Sequence, residues 1–144
     1  TIESFFFNET ATTEIYTPHD TLSLHAALPI EETHPGGEAI GWIIELENGF
    51  RIYHAGDTAV FGDMKYIGER YKPDLALVPI GGHFTMDPAD AAWAVNQWLK
   101  PKAVIPMHYG INPLAKGTAE EFAAALGRSE VRLIVAQPGQ ALSF

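Results

Sequence analysis

Apolar and polar positions along the chain fall into two regimes that meet near residue 38. From there to the C-terminus the pattern is regular. The run Ala39–Asp57, "AIGWIIELENGFRIYHAGD", reads as two strands joined at Asn48-Gly49, a strong hairpin signal. Gly62 to Tyr71 has Met64, Ile67 and Tyr71 at helical spacing, and Asp74–Gly82, "DLALVPIGG", is an apolar strand ended by glycines. Asp87-Pro88 opens the next helix, with Asp as N-cap and Pro at the first helical position. Ala91, Ala92, Val95, Trp98 and Leu99 form its apolar stripe.

Ala103–His108, "AVIPMH", is the following strand, and Thr118 with Glu121 has the spacing of a capping box. That helix runs to Leu126, with Gly127 as its stop. Val131–Ala136 predicts a strand, and "QPGQALSF" a turn with a short final strand. Strand–strand–helix–strand–helix–strand–helix–strand predicts an α/β layered fold. Residues 1–38 have weak periodicity and threonine-rich polar stretches, which support one or two strands at most.

The 144 residues correspond to about one domain, and 47% apolar with 19% charged residues is a globular composition. Net charge is −9 with 9 Lys and Arg in no basic cluster, which disfavours nucleic acid and anionic membrane as partners. The absence of cysteine excludes disulfides and thiolate ligands, and fits a cytoplasmic location. No apolar run approaches the ~20 residues of a membrane span. "TIESFFFNET" lacks the basic and long apolar regions of a signal peptide, and a start at Thr1 fits a processed product or a fragment.

Chemistry concentrates where strands end. Asp57 follows the second hairpin strand, His83 follows "LVPIGG", and His108 follows "AVIP". Sites in open α/β sheets collect beyond strand carboxyl ends, and Asp and His suit zinc, manganese or iron. Each residue also has a bland reading. Asp57 can cap a turn through Thr58 and Ala59, His83 can be a polar loop residue, and His108 a satisfied histidine under a loop. His54 reads as structural or supporting. The residues alone leave the metal and structural readings level.

The blocks "YHAGDT", "DLALVPIGGHFTMDPADAA" and "PKAVIPMHYG" resemble the metal-dependent hydrolases of the metallo-β-lactamase fold, in the branch related to ascorbate-6-phosphate lactonase. The likeness runs from about Gly36 to Gln140. It implies the C-terminal half of an αββα sandwich over residues 36–144, behind a poorly matching segment 1–35. It further implies a divalent metal, zinc first, with manganese or iron compatible. Asp57 and His108 become metal ligands, and His83 a catalytic residue on the substrate side. The implied reaction is attack of metal-activated water on an ester, lactone or phosphoester of a small molecule.

The family's His-x-His-x-Asp-His motif does not occur upstream. His19 and His25 have the wrong spacing, and His34 sits in no matching block. The expectation is therefore an N-terminal half that is largely missing, with a frame junction near Ile30, where "TLSLHAALPI" does not resemble the family. Half a sandwich exposes an apolar sheet face, which predicts a homodimer or association with a separate N-terminal half. Two further readings compete: an inactive interaction module keeping the half-fold, and an anion-binding domain using the loop at Gly81-Gly82.

Overall fold

In the computed structural model, the structure describes residues 39–110, 113–137 and 139–144. Residues 1–38 lie outside the described residues. So do the expectations that fall on them: the strands there, the junction near Ile30, and His19, His25 and His34.

The expected hairpin is β1 (Trp42–Glu45) and β2 (Arg51–His54). Its turn is a three-residue loop rather than a two-residue one. Gly49 donates to the Leu46 carbonyl at 2.9 Å, Leu46 donates to Phe50 at 2.9 Å, and Gly49 takes φ +80°. Asn48-Gly49 therefore serves a loop with glycine in its left-handed position. Helix α1 (Asp63–Tyr71), β3 (Leu75–Pro79), α2 (Pro88–Ala94), β4 (Ala103–Met107), α3 (Ala119–Leu126) and β5 (Arg132–Leu133) follow. Asp87 caps α2 by accepting from Asp90 N at 2.8 Å. The capping box closes both ways between Thr118 and Glu121, at 3.1 Å each.

The sheet order is β1-β2-β3-β4-β5, antiparallel only between β1 and β2. Three crossovers step in one direction, and right-handed crossovers then put all three helices on one face. That face supplies Ile43, Tyr53, Ala76, Val78, Ile80 and Val104 to the core. Met64, Ile67, Ala91, Val95, Leu99 and Phe122 pack onto it from the helices. Trp42, Ile44, Ile52, Leu77, Ile105 and Met107 alternate onto the opposite face and are half-buried. One sheet and one helical layer make half of a four-layer αββα arrangement.

Two expectations need correction. The strand foreseen over Val131–Ala136 pairs only at Arg132 and Leu133, with one more bond from Ile134 N to the Val104 carbonyl at 2.9 Å. The next bond of that parallel ladder would need an N–H from Pro106, which proline lacks. Residues 139–144 form no strand, so the foreseen final strand is absent there. An unforeseen feature is the widening of α2 into a π-helical turn over Val95–Leu99, closed by Lys100 N on the Val95 carbonyl at 2.9 Å. Asn96 bonds the Leu126 carbonyl at 3.2 Å from that turn, tying α2 to α3.

Asp74 ties the amino ends of three strands together. Its carboxylate accepts Arg51 N at 2.9 Å, and its backbone pairs with Arg51 and Ala103. The Lys102 ammonium at 2.7 Å, helped by the Arg51 N–H, holds the carboxyl below its ordinary range. Lys102 is largely exposed, so the ion pair contributes little and the bond to Arg51 N contributes most. Asp74→Ala is expected to lower unfolding stability by about 1–3 kcal/mol at pH 7 in urea titrations. A depressed carboxyl stabilises above its unfolded pKa of about 3.9 and loses that contribution as pH falls through its folded value. The gap between wild type and variant should therefore close below about pH 4.

Candidate metal centre

The second hairpin strand leaves the sheet at a defined point. Ala55 N still donates to the Leu77 carbonyl at 3.0 Å, but the next rung would need an N–H from Pro79. Released there, the chain turns at Gly56, which has φ +69°. A Cβ on Gly56 would overlap the Ile40 carbonyl, so both the backbone angle and the space demand glycine. Asp57 follows immediately. The loop is held on its far side, where Met86 N donates to the Thr58 carbonyl at 3.0 Å.

His108 arrives from the carboxyl end of β4. Its φ of +57° is left-handed, as is the +62° of His83 beyond β3. Such angles cost a non-glycine residue about 1 kcal/mol or more, and they concentrate where geometry serves a site. Gly81 lies against the His108 carbonyl so closely that a Cβ would overlap it.

Asp57 and His108 meet: His108 Nε2 lies 3.3 Å from Asp57 Oδ2. Donors about 2.1 Å from one tetrahedral ion are about 3.4 Å apart, so this separation fits two ligands of one ion. The Asp57 side chain is 64% exposed and that of His108 28%, which leaves the pair open to solvent on one side. His108 Nδ1 is buried without a hydrogen-bond partner among the described residues, so the outer support usual for a metal-ligating imidazole is absent there.

His83 does not complete the set. Among the described residues, no three His, Cys, Asp or Glu side chains come close enough to hold an ion. The His83 ring instead packs edge-on against Phe84, centroids 4.1 Å apart, and lines a depression of about 360 Å³. Gly81, Gly82, Asp87, Leu114, Lys116 and Glu121 contribute to the same depression. Gly81 thus forms part of its wall while touching His108 from behind.

The beta-lactamase superfamily domain matches residues 2–108. The chain belongs to that superfamily. Within the superfamily it is 64% identical over 114 residues to a UPF0173 metal-dependent hydrolase of Polaromonas sp., covering 79% of this chain and 42% of the relative. A metal-dependent hydrolase of Polynucleobacter asymbioticus is 58% identical over 113 residues, 78% of this chain and 40% of the relative. Among solved structures, Igni18, a metallo hydrolase from the archaeon Ignicoccus hospitalis, aligns with TM-score 0.69 and 38% identity. That alignment covers 78% of this chain and 48% of Igni18. The chain spans about two-fifths of the length of the curated relatives it matches.

The superfamily match, the metal-dependent hydrolase relatives and the Igni18 likeness bear out the metallo-β-lactamase-fold resemblance and the α/β class. The sequence did not single out the prolines that release Asp57 and shorten β5, nor the lining role of Lys116 and of Glu121, which it marked only as a capping residue. The first had a signal, since a proline inside a strand ends one side of its ladder. The lining residues had none, because they come together only when α2 and α3 pack.

Gly81→Ala is expected to push the His108 backbone away from Asp57. Unfolding stability should fall by about 1–3 kcal/mol, and zinc affinity should fall with it. Denaturant titration and isothermal calorimetry on the same preparations check both.

Proposed function

We propose that this chain carries part of the metal site of a hydrolase that cleaves an ester, lactone or phosphoester of a small molecule. The observation that supports this most is the 3.3 Å approach of His108 Nε2 to Asp57 Oδ2 beyond the carboxyl ends of β2 and β4. Both would hold one divalent ion, with zinc preferred and manganese or iron accepted by the same donors. When bound, such an ion supplies Lewis acidity that makes a water nucleophile available at neutral pH.

The chain's own residues do the remainder. Asp57 and His108 would hold the ion between them. The depression, about 360 Å³, suits a small molecule. His83, on its lining, would contact the substrate or pass a proton. The proposed setting is cytoplasmic, in keeping with the lack of cysteine. Two protein donors are one short of the usual catalytic zinc set. The third would come from outside the described residues, or from a second layer over the half-buried face of Trp42, Ile44, Leu77 and Ile105. A second copy of the chain or the N-terminal half of a longer protein would supply that layer. The same shortage supports the alternative, an inactive interaction module that keeps the half-fold.

Elemental analysis and a hydrolysis screen on the purified chain decide between them. The proposal expects about one zinc per chain, lost in Asp57→Ala and His108→Ala. Activity on a lactone, aryl ester or phosphodiester should vanish with chelator and return with zinc. His83→Ala should keep the metal while kcat falls roughly 100-fold. A folded chain with no metal and no hydrolysis, alone or as a dimer, would instead establish the inactive module.

A further inference from the structure

We infer that His54 is the positioning residue for Asp57: its imidazole Nδ1 holds the Gly56 N–H and so sets the turn that carries the carboxylate to His108. The inference rests on the reading that Asp57 and His108 share an ion, and it assigns a role to a histidine that this reading leaves unused.

His54 is the last residue of β2, paired across the sheet with Trp42 and Leu77. Its side chain lies on the face opposite Tyr53, where the neighbouring positions are Trp42, Leu77 and Ile105. An aliphatic residue would suit that place better, because a half-buried polar ring is costly unless it is bonded. Here the ring is bonded, since Gly56 N donates to His54 Nδ1 at 3.1 Å. Gly56 needs that acceptor, as the β1–β2 ladder ends at the Trp42–His54 pair. Without Nδ1 the N–H would lose its hydrogen-bond partner among the described residues, just where the chain must hold a φ of +69° against the Ile40 carbonyl.

An accepting Nδ1 places the proton of the neutral ring on Nε2. The bond closes a short ring from side chain to the N–H two residues on, the geometry that Asn and Asp adopt in Asx-turns. A specific prediction follows for substitutions. Asn at position 54 can accept the same bond, whereas Leu fills the apolar face better and can accept nothing. A purely structural role ranks Leu above Asn; a positioning role ranks Asn above Leu.

The experiment uses the full chain with His54→Asn and His54→Leu. In metal-free protein, amide hydrogen exchange of Gly56 and the imidazole nitrogen spectrum of His54 are read by NMR. With zinc as the probe, affinity is read by calorimetry and global stability by urea titration. The expected result is an unprotonated Nδ1 and a protected Gly56 amide in wild type. Protection should persist in His54→Asn and be lost in His54→Leu. Zinc affinity should fall roughly tenfold or more in His54→Leu, without a matching loss of global stability, and recover in His54→Asn. Wild-type protection and affinity in His54→Leu would overturn the inference, as would His54→Asn behaving like His54→Leu. Absence of zinc binding in wild type would defeat the metal reading instead, and Gly56 exchange would still decide whether His54 holds the turn.

Discussion

Proline cannot donate a backbone hydrogen bond, and the parallel part of this sheet meets that limit twice. Pro79 ends the β2–β3 ladder after Ala55, and Pro106 ends the β4–β5 ladder after Ile134. Both sit toward the carboxyl ends of the middle strands, so the sheet opens on the side where α/β proteins place their ligands. Asp57 is free to leave its strand because its neighbour offers no further rung. The carboxylate sits three residues past the end of β2, just beyond where the backbone pairing runs out.

Around that opening, the fold gives up local comfort for geometry. His83 and His108 take left-handed backbone angles, Gly56 turns where no side chain fits, and Gly81 backs directly onto the His108 carbonyl. Such strain persists only when surrounding structure over-determines it. Here the determinants are visible. The core beneath is dense with Tyr53, Val78, Ile80 and Val104, Met86 N ties the Thr58 loop to the His83 loop, and Asp74 pins three strands at the other end. The amino end of the sheet is stitched shut while the carboxyl end is held open.

Much of this was legible from residue types. The hairpin, the Asp87 and Thr118 caps, and the three helices all carry local signals, and the structure places each where those signals lie. Asp57 and His108 were legible as strand-end donors, and they do meet. What stayed hidden depends on partners distant in sequence. Val131–Ala136 reads as a full strand by hydrophobicity, yet its length is set by a proline on β4. His83 reads as a strand-end residue on the substrate side, yet the depression that it lines, and its packing against Phe84, come together only in the folded loops. The π-helical end of α2 has no periodic signature, since its stripe of Val95, Trp98 and Leu99 also suits an α-helix.

The central claim is that Asp57 and His108 bind one ion between them. Crystals grown with zinc, with diffraction recorded on both sides of the zinc absorption edge, test it most directly. The account predicts an anomalous peak within about 2.2 Å of both His108 Nε2 and Asp57 Oδ2. A zinc peak elsewhere, or none while His108 and Asp57 keep their direct approach, would contradict it.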